Sequence, residues 1–174
     1  ASPSSRSACR RAPRFDAGAA VGHAIRALVA KGEQLSAAIA TPCVVAPLAQ
    51  GYALAVAPDA DDEMRLLEEA GERLGRSFAI ALIATDYFGG SGTQHARVWT
   101  PSDVAAPSRS GSGAINAALA LIGVTRSLPA DEFDSVGLGW YRSNDDWAAY
   151  ARHGKAVWQQ AASEAASQAW KSRR

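Results

Sequence analysis

The chain has 174 residues, 48% apolar side chains and a formal net charge of +1. That is one domain's worth of chain with enough apolar content for a core, which excludes wholesale disorder. The near-neutral charge excludes a general polyanion binder, and two cysteines exclude a disulfide scaffold or a four-cysteine zinc module. Alanine supplies 39 of the residues, and the basic set is 15 Arg against 3 Lys, a usage that reflects genome composition before function.

The charge is unevenly placed. Residues 1–14 carry Arg6, Arg10, Arg11 and Arg14 and no acid, for +4; residues 171–174 carry Lys171, Arg173 and Arg174, for +3. The body between them is therefore at −6. Basic ends are ordinarily solvated tails, and the functional alternative is that they lie on an acidic partner. The Ser- and Arg-rich start, Ala1 to Arg11, has the composition of a transit peptide, and a first residue other than Met fits a processed protein. The predicted organisation is a basic tail over 1–15, a domain over 16–146 and a C-terminal helical extension over 147–174. The uncharged span Gln34 to Pro58 contains Pro42, Pro47, Gln50 and Gly51, so it reads as two buried strands and not as a membrane helix.

In chain order, Val21, Ile25, Leu28, Gly32, Leu35 and Ile39 step in a heptad-like stripe, which predicts a helix from Asp16 to Ala40. Strands are predicted at Cys43–Leu48, at a sheet edge because Pro47 lacks an N–H, and at Tyr52–Ala57. A helix capped by Asp59 follows, with Met64, Leu67 and Leu74 inward and Gly75 at its end. Ser77–Phe88 and Thr93–Thr100 predict a hairpin around a four-residue loop, Gly89 to Gly92. Residues 101–112 read as a connection, Ala114–Ile122 as a short helix, and 124–142 as mostly irregular. Ser143 and Asp146 form a capping pair for a long helix to Trp170. The predicted fold class is α+β: a small antiparallel sheet of about four strands covered by helices.

Few constellations carry chemistry. The loop Gly89 to Gly92 lacks a following helix and a Gly-Lys-Ser/Thr, so it is a turn before it is a phosphate site. Ser110 to Gly113 opens a helix but follows no strand. A four-residue hairpin loop would set Asp86 opposite His95, with Arg97 diagonal to Asp86, a pair able to work as an oriented general base or to serve as a plain cross-strand contact. His23, His95 and His153 stand apart from other metal-ligating types, so no metal and no cofactor is predicted. Cys9 and Cys43 are free or paired according to compartment. Asp131 to Asp134 reads as a solvated acidic turn anchored by Phe133. Trp140 and Tyr141 read as an exposed contact patch or as a lid over the core. The acidic body argues against nucleic acid.

The segments Thr41-Pro42-Cys43-Val44-Val45-Ala46-Pro47-Leu48, Thr85-Asp86-Tyr87-Phe88-Gly89-Gly90-Ser91-Gly92-Thr93-Gln94 and Ala114-Ile115-Asn116-Ala117-Ala118-Leu119 carry a resemblance. So do Asp131-Glu132-Phe133-Asp134, Gly137-Leu138-Gly139, Arg142 and Asp145-Asp146-Trp147. Over about three-fifths of its length the chain resembles a group of small, functionally uncharacterised bacterial proteins, which implies a shared domain and transfers no catalytic residue. The leading expectation is a non-catalytic accessory subunit of a large organellar complex, plastid before mitochondrial, with a photosynthetic membrane complex as the specific assembly. Its partners would be other protein subunits, in a position peripheral to a membrane without a transmembrane helix. The expected contact residues are Arg6, Arg10, Arg11, Arg14, Trp140, Tyr141, Trp158, Trp170, Arg173 and Arg174. The alternatives are an immunity-type protein of the bacterial cytoplasm that blocks a toxin, and a small hydrolase-like enzyme using Asp86 and His95.

Overall fold

The computed structural model describes residues 22–88, 91–102 and 106–154. Six strands form one antiparallel sheet: β1 (His23–Lys31), β2 (Val44–Pro47), β3 (Tyr52–Val56), β4 (Ile80–Phe88), β5 (Ser91–Trp99) and β6 (Ala106–Ser110). Their spatial order is β2-β3-β1-β4-β5-β6. Helices α1 (Gly32–Ala38) and α2 (Glu63–Gly75) cover one face; α3 (Ala114–Leu121), α4 (Glu132–Val136), a 3-10 turn (Leu138–Trp140) and a helix over 144–154 (α5) cover the other. The α+β class is as predicted, but the sheet has six strands where about four were expected.

The largest correction is β1. The stripe that reads as a helix over 16–40 belongs, from His23 to Lys31, to a central strand, and only Gly32–Ala38 is helical. Residues Ala27 to Ala30 are buried without alternation, because helices pack on both faces. A short all-buried run has no period of two to set against the helical one, and its alanines carry little strand preference. The second missed strand is β6, in the stretch read as a connection. Predicted strand positions at 43–48, 52–57, 77–88 and 93–100 hold β2 to β5, with β2 to β4 trimmed and β5 starting two residues earlier, at Ser91. β2 is at an edge, where Pro47 leaves no ladder donor missing.

Helix α2 starts three residues later than expected. Asp62, and not Asp59, is its cap, accepting from the Arg65 N–H at 3.2 Å, while Asp59 bonds Arg152 at 3.0 Å. The helix does end at Gly75, for a packing reason as well as a conformational one. A Cβ at Gly75 would stand 2.1 Å from the Cβ of Trp99, and one at Gly71 would stand 2.5 Å from the Trp99 ring. The indole thus lies directly on the helix backbone, and Arg97 stacks over its ring at 4.9 Å.

β1 is paired by β4 along most of its length, but β3 reaches only Leu28 to Lys31. The remaining groups on that side are met by the entry to α5. The Ala24 N–H donates to the Arg142 carbonyl at 2.8 Å. The Asn144 side chain accepts from the Arg26 N–H at 3.0 Å and donates to the Arg26 carbonyl at 2.9 Å, as a strand partner would. Its amide also donates to Glu63, which accepts from the Ala57 N–H and pairs with Arg26.

Ser143 caps α5 as predicted, through the Asp146 N–H at 3.2 Å. Trp147 and Ala148 are buried in the core of that face. The expected helix to Trp170 leaves the described residues after Gly154, whose φ is +74°, a left-handed conformation that interrupts a right-handed helix.

Two stability changes follow. Gly75→Ala should lower the unfolding free energy by about 1–3 kcal/mol, because its methyl overlaps a fixed Trp99 Cβ; a gain in stability by urea unfolding would contradict this packing. Asn144→Ala should cost about 1–2 kcal/mol by stranding the Arg26 amide and carbonyl. Asn144→Asp should cost more, since it loses the donor and faces Glu63.

Candidate functional site

β1, β4 and β5 lie side by side, and at one end their polar residues fall on the α3–α4 face. His23 is directly opposite Tyr87, and Thr85 is opposite Gln94. All four share the side-chain parity of Ile25 and Ile83, which are core residues of that face. Above them, Ile115 and Asn116 of α3 and Asp131 and Phe133 at the start of α4 complete the walls of a cavity of about 160 Å³.

Part of this polar set is committed to structure. Asn116 donates to Asp131 at 2.8 Å and accepts from the Phe133 N–H at 2.9 Å, while Asp131 caps α4 through the Asp134 N–H at 3.0 Å. Burial would raise the Asp131 carboxyl, but the Asp134 N–H, the Asn116 amide and the Arg126 charge outweigh it and hold the group below the ordinary carboxylate value. The expected acidic turn is therefore a helix cap that locks α4 to α3. Thr85, buried with the core, accepts from the Ile25 N–H at 3.0 Å and lies 2.8 Å from His23 Nδ1. The Thr85 hydroxyl, with one lone pair on the Ile25 N–H, can donate to Nδ1 or accept from it, according to the tautomer of the ring.

His23 Nε2 is buried and has no hydrogen-bond partner among the described residues. Burial lowers the His23 pKa from its ordinary 6.5 and the Arg142 charge adds to this; the Leu138 carbonyl opposes it without meeting hydrogen-bond geometry at Nε2. The Phe133 ring tilts against the imidazole, with centroids 5.5 Å apart. Tyr87 lies across Gly92, where a Cβ would come within 2.7 Å of its ring. That glycine is required by close approach.

The residues singled out from sequence are placed differently. Strand pairing runs to Phe88↔Ser91, so only residues 89 and 90 lie between the hairpin strands, and not four. The register therefore moves by two: Asp86 faces Thr93, His95 faces Ala84, and Arg97 faces Leu82. The His95 ring is held by Ser108 at 2.9 Å and Ser110 at 3.2 Å. Asp86 is exposed, so the Asp86–His95 pairing expected for a hydrolase-like site is not the one formed.

Trp140 is 48% exposed, whereas Tyr141 packs on Trp147 with ring centroids 4.8 Å apart and on Tyr150 at 5.2 Å, as a lid over the core. Arg6, Arg10, Arg11, Arg14, Trp158, Trp170, Arg173 and Arg174 lie outside the described residues, as does Cys9. Among the described residues no cluster of three metal-ligating side chains occurs. A larger groove of about 300 Å³ between α2 and residues 39–43 contains Cys43. Burial and the Glu63 charge push its thiol pKa up, away from the reactive thiolate.

The cavity around His23 escapes sequence reading because it needs β1 to be a strand; on a helix, His23 is an isolated residue. Gln94 gives no signal either, although it caps α3 through the Ile115 N–H at 3.5 Å. No family model, no curated protein and no solved structure matches this chain at a significant level.

The lowered His23 pKa has a definite consequence for stability. Between its folded value and its unfolded value near 6.5, the unfolded chain binds the extra proton, so stability falls as pH drops through that window. Urea midpoints taken from about pH 7.5 to about pH 5.5 should fall more steeply for the wild type than for His23→Gln. Parallel curves would mean that His23 titrates alike in both states.

Proposed function

We propose that the chain is a non-catalytic subunit that works by protein–protein contact within a larger assembly. The observation that carries this reading is where the exposed apolar side chains stand. Of the four large apolar residues exposed among the described residues, Phe88 ends β4 and is 65% exposed, whereas Leu121 ends α3, Leu128 sits in the loop that follows and Trp140 ends the 3-10 turn after α4, at 55%, 81% and 48%. Single exposed leucines are ordinary, but three large apolar residues on the layer over one sheet face suit a contact surface. Tryptophan is also the residue type that most often anchors such contacts.

Within this reading, the Ser- and Arg-rich start supports an organellar setting, a plastid before a mitochondrion, and a photosynthetic membrane complex is the assembly proposed. The basic ends would lie on acidic surfaces of neighbouring subunits. No helix among the described residues is long and apolar enough to cross a membrane, and a peripheral position is the one proposed. A second reading, an immunity-type protein that blocks a bacterial toxin, draws on the acidic body and on the resemblance to bacterial proteins.

The test is native sizing of an extract from the source organism with the chain followed by antibody. The wild type should elute with an assembly much larger than 18.1 kDa. Leu128→Asp combined with Trp140→Ala, with unchanged circular dichroism, should reduce the associated fraction by about tenfold or more. A monomeric wild type overturns the proposal, and an equally associated variant removes this surface from it.

A further inference from the structure

The far edge of the sheet carries a cluster that the contact surface does not use. β6 is the last strand in the sheet order, so among the described residues its outer edge is open. Ser110 on β6 lies directly opposite His95 on β5. Ser108, two residues earlier, reaches the same imidazole: its hydroxyl lies 2.9 Å from His95 Nε2, and the Ser110 hydroxyl lies 3.2 Å from Nδ1. Both serines are exposed and His95 is half-buried. The pairing of β5 with β6 shifts register between Ala96 and Val98, next to this cluster. A bulge re-aims the side chains beside it, and bulges are over-represented at sheet edges and next to active sites.

The hydrogen count on the ring makes one of the two serines a donor to it. A neutral imidazole carries one N–H and one bare nitrogen, and a hydroxyl can donate or accept. Whichever nitrogen is bare, the serine bonded to it is the one whose hydroxyl can give its hydrogen to the ring. A ring with its hydrogen on Nδ1 donates to Ser110 and accepts from Ser108, across the shorter of the two contacts. A hydroxyl within hydrogen-bond reach of a base, with that base held by a third group, is the arrangement that activates an oxygen nucleophile. Asp86, the acid expected to orient this ring, faces Thr93 instead, and a hydroxyl stands in that role.

We infer that Ser108 is a site of acylation, taking an acyl group from an activated ester or thioester, with His95 as its base and Ser110 as the residue that positions the ring. The Ser108 oxygen attacks the acyl carbon as its proton passes to His95 Nε2. The Oγ–acyl bond forms, the bond from the acyl carbon to the leaving oxygen or sulfur breaks, and the proton goes on to that leaving group. The products are an ester on an exposed edge-strand serine and a free alcohol or thiol. One such transfer modifies the chain and is not turnover, so it stands beside a contact role and does not depend on it.

The probe is p-nitrophenyl acetate, applied to the isolated full chain, quenched in acid and read by peptide mass mapping. Acetylation of Ser108 should run at least about tenfold faster than that of Ser36 or Ser77, which are also exposed. His95→Gln should slow it by about tenfold or more. In the imidazolium both nitrogens are donors, so the wild-type rate should fall as the ring is protonated, and His95→Gln should lose that dependence. Ser110→Ala should slow the reaction and Ser110→Thr, which keeps the hydroxyl, should restore it, both with unchanged circular dichroism. If His95→Gln does not fold, the Ser110 pair carries the test. The inference is overturned if Ser108 reacts no faster than Ser36 and Ser77, if the folded variants react like the wild type, or if the acetyl group is found on Ser110. The sizing experiment on the assembly is independent of each of these outcomes.

Discussion

The structure depends on satisfying one strand completely. β1 lies in the middle of the sheet with helices over both faces, so every backbone amide and carbonyl it carries must find a partner inside the protein. β4 supplies one side. On the other, β3 stops after Leu28, and the segment from Arg142 to Asn144 takes over. A side chain thus completes a β ladder, and in doing so it fixes where α5 begins. It also fixes Glu63 at the start of α2, so the two helical layers are joined through one asparagine.

That constraint reaches the cavity. β1 held on both sides places His23 across from Tyr87 and diagonal to Thr85, and α5 brings Trp147 into the same core. The two layers differ in character. The α1–α2 face packs Leu28, Leu67, Leu82 and Trp99 together, closely enough that two glycines of α2 rest on the indole. The α3–α4 face is built of short helices tied by side-chain bonds: Asn116 to Asp131, and Gln50 to Thr125 and Ser135. Gln50 takes a left-handed conformation to make its bonds, a local strain that the surrounding contacts offset. The His23 cavity and three of the exposed large apolar residues, Leu121, Leu128 and Trp140, belong to this layer, while the larger groove beside Cys43 borders α2.

Much of the local structure was legible from residue types. Four of the six strands, helix α3, the end of α2 at Gly75 and the Ser143 cap each follow from proline, glycine, capping chemistry or β-branched runs. The candidate cavity was not legible, because two register errors removed it. Reading 16–40 as a helix took His23 away from β4. Reading the hairpin with four loop residues shifted β5 by two, which proposed Asp86 with His95 and hid Thr85 with Gln94. A shift of two keeps every side chain on its face, so no hydrophobic mismatch warned of it.

By itself the sequence determined the class of the fold, the uneven charge of ends and body, and the places where the chain must turn or cap, since these depend on a residue and its near neighbours. Only the tertiary structure decided that an alanine-rich apolar run is a central strand, which helix covers which face, and that His23, Tyr87 and Gln94 share one cavity. The physical reason is that alanine, leucine and isoleucine in a short buried run suit helix and strand nearly equally. What selects between them is the pairing of backbone groups with residues 21 to 118 positions away, and no local pattern records that pairing.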